Sequence, residues 1–430
     1  MADALDFCNP FWEKPKFKKT TLAMSSRISD LASIGIAALA IDGKGTIAVK
    51  SWSTDSVEFR VKQTGDTPYP ILVLKITNST VSFSQEDKDG NATPLIDESV
   101  RPEGNPYVPT IAPKDGTVYW LSVDRSNRVL RYGKHYTCKA LTLMEVKLDS
   151  QLDLWLEHLG PVEVDDGASP QVKISRLPVI VDLPPTVVTN EEVSLRDLSL
   201  RRVTTWANLP EACQKLYHNV AGKNVTLESP DFEGFADAIH KSVTTEGYWG
   251  HSKLKSKCKD PNNVEIDEFR HKYLRITIGS HTGNSPGIPY VMEVWPPRHR
   301  SPIHDHGNAC AVIRILSGAI QCTWYDAVIG GAEPTKLGEP VVLKKDKITW
   351  IGDNQYQVHA LENTKEETCV TLQCYAFTDD NNLHVEKFQY IDAKSKDKAP
   401  FTPNSDCTFE DFYTYMKWEW DNKGPYPTGP

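Results

Sequence analysis

Hydrophobic and polar positions alternate with a period of two through the first third of the chain. Val57, Phe59 and Val61 fall on one side, and Glu58, Arg60 and Lys62 fall on the other. That is the signature of a half-buried strand. Comparable runs at 69–76, 80–84, 117–123, 129–132 and 141–148 continue the pattern, and Ser126-Asn127 between two of them suits a hairpin turn. The spacing predicts an antiparallel β-sandwich-like domain over 45–165. Its aromatics, Trp52, Phe59, Phe83, Tyr119, Trp120, Tyr132 and Tyr136, either pack the core or line a ligand face. The domain's role is unknown, and no family resemblance is read from its residues. Residues 1–44 read as a leader with a short helix at 27–40. Pro170, Pro178, Pro184 and Pro185 make 166–196 a linker.

The period then changes. Ala212, Leu216 and Val220 share a helical face after Leu209-Pro210-Glu211. Ser229-Pro230-Asp231 reads as an N-cap ahead of Phe232, Phe235, Ile239 and Val243. Strand patterns return at 290–295, 311–316, 319–325, 347–350 and 368–377, enough for a small barrel preceded by short helices. The second domain is drawn as 197–422, with a Pro/Gly-rich mobile tail at 423–430.

Composition adds bounds. At 430 residues the chain is long enough for two separate cores. A net charge of −9 argues against nucleic acid or an anionic membrane as a main partner. The segment 1–19 is polar and aromatic, and the first apolar run, 31–41, is too short for a signal peptide or a membrane span. Nine cysteines lie scattered without CxxC pairs, which fits reduced thiols and a cytoplasmic location.

The chemistry is concentrated in three histidines. His304 and His306 lie two apart in Pro302-Ile303-His304-Asp305-His306-Gly307, so on a strand they point the same way. His359 follows in Val358-His359-Ala360-Leu361-Glu362-Asn363. A third imidazole arriving from a facing strand would complete one face of an octahedral metal site and leave the remaining positions open. The competing reading makes them hydrogen-bonded core histidines.

From about 209 to 415 the chain resembles the thiol dioxygenases of the cupin superfamily, and most of all cysteine dioxygenase. The resemblance rests on Tyr273-Leu274-Arg275, on Ser301-Pro302-Ile303-His304-Asp305-His306, on Leu316-Ser317-Gly318, and on His359-Ala360-Leu361-Glu362-Asn363 followed by Val370-Thr371-Leu372-Gln373-Cys374-Tyr375. It implies a mainly β protein whose C-terminal half is a cupin, the double-stranded β-helix or jelly-roll barrel. It also implies Fe(II) on His304, His306 and His359, with a small thiol and O2 as the partners. Arg275 would clamp a substrate carboxylate in a bidentate fork, and Tyr273 would assist it or simply pack. Tyr375 would donate a hydrogen bond near the reacting atoms, with Thr371 and Gln373 behind it. Trp295 and Trp350 read as core.

Two positions depart from the family. Ala311 stands where animal members carry a cysteine linked to the tyrosine, and strand alternation turns the adjacent Cys310 away. Gln373 stands where the family has histidine, so it can hydrogen-bond Tyr375 but cannot be protonated. The resulting expectation is a mononuclear non-haem iron thiol dioxygenase, with L-cysteine oxidised to its sulfinate. Three alternatives stay open: another thiol such as 3-mercaptopropionate, a different iron-cupin oxygenation or lyase reaction, and a non-catalytic binding cupin. The oligomeric state is open.

Overall fold

The computed structural model describes residues 34–95, 111, 116–148, 154–168, 170–259, 267–278, 290–329, 333–378, 388–392 and 394–427. The first 33 residues of the expected leader and the last three of the expected tail lie outside that set.

The alternating runs of the N-terminal third form two antiparallel sheets face to face. One contains Ile34–Ala38, Leu159–Asp165, Ser56–Gln63, Ile71–Thr77, Val81–Glu86 and Ala92–Pro94 in that order. The other contains Val172–Ser175, Lys44–Ser51, Thr117–Asp124, Val129–Lys134 and Thr142–Lys147. Val57, Phe59 and Val61 point inward and are fully buried, among Leu72, Leu74, Leu121 and Tyr132. The hairpin at Ser126-Asn127 is tied by the Asp124 carboxylate, which accepts from the Asn127 backbone N–H at 3.1 Å, while Arg128 takes a left-handed φ of 55°. Of the aromatics weighed as a ligand face, Phe59, Tyr119, Trp120 and Tyr132 are buried, whereas Trp52 is exposed.

Two boundaries differ from the sequence reading. Where a helix was expected at 27–40, Ile34–Ala38 is a strand paired with Leu159–Asp165. Its alanine-rich composition favours helix locally, but cross-strand pairing decides the outcome. The expected linker is not a free connector either. Val172–Ser175 extends the second sheet, Val179 N–H donates to Ser122 Oγ at 2.8 Å, and Arg131 Nη1 donates to the Val179 carbonyl at 2.6 Å. Further on, Thr186–Val188 pairs with Ile348–Ile351 inside the C-terminal half, with Val187 in its core. Prolines remove donors and break periodicity, so these pairings leave no trace in the hydrophobic pattern.

The C-terminal half is a jelly roll of two facing sheets rather than a closed barrel. The larger runs in the order Thr204–Thr205, Thr186–Val188, Ile348–Ile351, Cys310–Ser317, Cys369–Ala376, Tyr290–Trp295, Leu274–Ile278, Cys407–Thr408. The smaller is Val341–Lys344, Ala319–Tyr325 and Val358–Glu362. Trp295, Ile315, Ile320, Trp324 and Leu343 fill the space between them. The outer face of the large sheet is covered by the helices Glu211–Val220, Phe235–Thr244, Trp249–Ser256 and Phe409–Asn422. The second of these is capped by Glu228 rather than Ser229, its carboxylate accepting from the N–H groups of Gly234, Phe235 and Ala236 at 2.9–3.0 Å. An anion there also meets the positive end of the helix dipole.

The halves are joined by more than chain connectivity. Trp120, Cys138, Leu141 and Val179 pack with Leu337, and Thr137 N–H donates to Asn354 Oδ1 at 3.3 Å. The Pro184 carbonyl accepts from Trp350 Nε1 at 2.9 Å, and the Leu183 carbonyl accepts from the Tyr356 hydroxyl. A chain begun at Asp197 therefore loses an internal strand and strips two donors, the buried Trp350 and the half-buried Tyr356, of their acceptors. Each orphaned donor costs about 1–3 kcal/mol. Compared with a chain begun at Asp182, its melting temperature is expected to be lower by at least about 5 °C, read by calorimetry. Equal melting temperatures would show that the segment contributes nothing to the jelly roll.

Candidate metal centre and active-site pocket

The three histidines meet at the mouth of the space between the sheets. His304 and His359 sit opposite each other in a short antiparallel bridge, each backbone N–H donating to the other's carbonyl at 3.0 Å. Two residues on, His306 turns to the same side. The three ring centroids are 4.7–5.0 Å apart, and one nitrogen from each ring lies within 4.8 Å of the others. All three side chains are buried.

Backbone carbonyls fix the ring orientations. His304 Nδ1 is 3.0 Å from the Pro302 carbonyl and His306 Nδ1 is 3.1 Å from the Gln357 carbonyl, so each Nδ1 donates and each Nε2 is left with its lone pair. His359 Nδ1 is buried against the Tyr356 backbone without a hydrogen bond of good geometry. Burial pushes His304 down to about 4 and His306 down to about 3, and burial with the neighbouring imidazoles holds His359 well below the usual histidine range. Neutral imidazoles are the ligand form, and a desolvated cluster of them with an unsatisfied nitrogen is what a divalent cation fits. The loop carrying His306 is braced by Gln357, whose side chain donates to the Ala309 and Gly352 carbonyls and accepts from Asn308 N–H at 3.0 Å.

The same pocket takes in the other candidate site residues, Tyr273, Arg275, Thr371, Gln373 and Tyr375. Tyr273 lies flat on Trp295, with centroids 4.1 Å apart and planes 16° off parallel. The guanidinium of Arg275 sits 5.6 Å from the centre of the Tyr375 ring. Tyr375 donates to Gln373 Oε1, and Gln373 Nε2 donates to Thr371 Oγ1 at 3.2 Å. Ala311 is the direct cross-strand partner of Tyr375, while Cys310 pairs with Ala376 and packs into the opposite core beside the helices. Burial raises the Tyr375 and Tyr273 hydroxyls far above the usual phenol range, so both stay protonated.

Three contributors were missed in the sequence. Glu293 is buried and reaches into the pocket, where its Oε1 is 2.7 Å from Arg275 Nη1 and its Oε2 accepts from Gln373 Nε2. Its position in Tyr290–Trp295 is flanked by apolar residues, and a lone acid in an otherwise apolar strand was the available signal. The other two, Phe388 and Phe401, lie on the two-stranded ribbon Phe388–Ile391 and Lys398–Phe401 and pack 5.5 and 5.8 Å from His306 and His304. They lie at the edge of the family-like segment, where no spacing marks them.

Among solved structures, the chain is similar to the cupin domain of Schizosaccharomyces pombe Cnp3 at 13% identity, over 25% of this chain and 61% of that one, with a TM-score of 0.19. It is also similar to an oxalate oxidase in complex with the substrate analogue glycolate, at 11% identity over 29% of this chain and 57% of that one, with a TM-score of 0.21. A conserved protein with a double-stranded β-helix domain from Klebsiella pneumoniae matches at 15% identity, 29% and 89% coverage, and a TM-score of 0.20. The chain thus spans less than two thirds of the length of the first two. Residues 265–380, roughly a quarter of the sequence, match the family model described as cysteine dioxygenase type I. That stretch holds the three histidines with Tyr273, Arg275, Glu293, Gln373 and Tyr375, and through it the C-terminal half of this chain resembles the cysteine dioxygenases of the cupin superfamily.

Proposed function

We propose that the C-terminal half is a mononuclear non-haem Fe(II) dioxygenase that transfers both atoms of O2 to the sulfur of a small thiol, giving a sulfinic acid. The observation that carries this reading is the cluster of three buried, neutral imidazoles inside the segment that matches cysteine dioxygenase type I. His304, His306 and His359 would hold the ion, with no carboxylate among the ligands. Ferrous iron there would supply a Lewis acid with open positions for a thiolate and for dioxygen.

The remaining residues support the site in defined ways. Phe388 and Phe401 shield the imidazoles from water on the pocket side. Tyr375 keeps its proton and donates a hydrogen bond to Gln373 Oε1, so its oxygen can still accept, or the hydroxyl can rotate toward a bound ligand. Gln373 fixes the position of that phenol without titrating. Tyr273 is held flat by Trp295 and gives the pocket a rigid wall.

Metal analysis of protein purified with ferrous iron, followed by oxygen uptake with a panel of thiols, tests the proposal. About one iron per chain and thiol-dependent oxygen uptake are expected, and iron without uptake on any thiol would sink it. Tyr375 is also expected to remain a free phenol. Intact mass after turnover should show no loss of two hydrogens, and peptide mapping should recover Tyr375 unmodified. A linked Tyr375–Cys310 peptide would contradict the strand register. Tyr375→Phe should lower kcat about 10- to 100-fold, the scale of one transition-state hydrogen bond.

A further inference from the structure

A carboxylate clamp needs a guanidinium whose charge is unspent, and Arg275 does not offer one. Its Nη1 is 2.7 Å from Glu293 Oε1, with the two side chains 12% and 5% exposed. Among the described residues lining the pocket, Arg275 is the only lysine or arginine and Glu293 the only carboxylate. The recognition end of the pocket is therefore electrically neutral before any substrate arrives. Behind it, Lys257 is spent in the same way, 2.7 Å from Asp406 Oδ2 and 2.6 Å from the Tyr273 carbonyl. Asp406 also accepts from the Arg275 backbone N–H at 2.8 Å.

Glu293 is not free to swing aside. The second oxygen of Glu293 is held by Gln373, and Gln373 is held in turn by Tyr375 and Thr371. Turning Arg275 toward a substrate carboxylate would leave Glu293 buried and uncompensated, and leaving it in place would set two carboxylates side by side in a buried site. Both arrangements are costly where water cannot screen them.

We infer that Glu293 is a specificity-determining residue that turns this pocket toward small thiols lacking a free carboxylate. The inference rests on the thiol-dioxygenase reading for the site and names its substrate class. It displaces the expectation, drawn from Tyr273-Leu274-Arg275 alone, that Arg275 selects L-cysteine or 3-mercaptopropionate. Discrimination by an unfavourable charge is negative selection, and it acts against the carboxylate without requiring any new contact to the preferred thiol.

L-cysteine and L-cysteinamide have nearly the same shape and differ by one negative charge, which makes them the discriminating pair. Their affinities for the iron-loaded full-length protein are measured by calorimetry without oxygen, and oxygen uptake is then followed with each. The amide is expected to bind at least about 10-fold more tightly, with the same preference in kcat/KM. Glu293→Gln frees the Arg275 charge and should shift the ratio at least about 10-fold toward L-cysteine, chiefly through KM. Equal or tighter binding of L-cysteine by the unmodified protein would overturn the inference, as would a ratio that Glu293→Gln leaves unmoved. If that variant does not fold, the ratio of affinities in the unmodified protein decides alone. Preferential binding of the amide with no oxygen uptake on any thiol would uphold the role of Glu293 and remove the dioxygenase reading instead.

Discussion

His304→Ala is expected to abolish stoichiometric iron binding and, with it, all thiol-dependent oxygen uptake. Partners that merely orient a metal-bound histidine are worth about 10–100-fold in affinity, and removing a ligand itself costs more. With only three protein donors there is no fourth side chain to compensate, since no other histidine, cysteine or carboxylate joins the cluster among the described residues. The fold should survive. The pairing between residues 304 and 359 runs through backbone groups, which alanine keeps. Metal analysis beside a far-ultraviolet dichroism spectrum checks both halves of the expectation. His306→Ala and His359→Ala should behave alike. Full iron occupancy in His304→Ala would take this histidine out of the metal site.

Arg275→Ala is expected to destabilise the whole jelly roll, not merely to weaken substrate binding. It strands the Glu293 carboxylate in a buried site, and breaking a buried pair by removing one partner costs about 3–5 kcal/mol. Glu293 already sits above the ordinary glutamate range because of burial, with Arg275 opposing the rise. Without Arg275 that opposition is gone and the folded-state pKa climbs further. A carboxyl whose folded pKa is raised is stabilising while protonated and loses that contribution as pH increases through the folded pKa. The deficit of Arg275→Ala should therefore be smallest in mild acid and widen toward neutral pH. Adding Glu293→Gln should recover part of the loss, because a neutral amide is cheaper to bury than an unpaired charge. Chemical denaturation of the unmodified protein, the single variant and the double variant across pH reads all three effects. A deficit that stays constant with pH would mean that Glu293 is not the group left uncompensated.

Much of the fold was legible because burial on one side of a strand writes itself into the sequence. Val57, Phe59 and Val61 are inside and their neighbours are not, so the sandwich could be read from alternation. The pleat also foretold that Ala311 and Cys310 would point to opposite faces, and the structure puts Ala311 across from Tyr375. What escaped was structure held by backbone pairing instead of by side-chain pattern. Thr186–Val188 follows two prolines and is only three residues long, yet it sits inside the large sheet. The C-terminal helix Phe409–Asn422 was missed although Thr408 caps it at the Asp411 N–H and Phe412 and Met416 share its buried face. Its aromatic-rich composition obscured the helical period.

The site was legible to a different depth. Spacing named the three histidines, and the resemblance to the cysteine dioxygenases named Arg275 and Tyr375. Glu293 was named by neither. A charge on a central strand is compensated by whatever folds against it, and here that is Arg275 from the neighbouring strand, its direct cross-strand partner. Only the register of Leu274–Ile278 against Tyr290–Trp295 reveals that the expected clamp is already engaged.

Turnover of the iron-loaded full-length protein under 18O2 with an oxidisable thiol, followed by mass spectrometry of the product, tests the central claim most directly. The expected product is a sulfinic acid in which both oxygen atoms on sulfur carry the label. A product with unlabelled oxygen on sulfur, or the disulfide as the sole product, would contradict it.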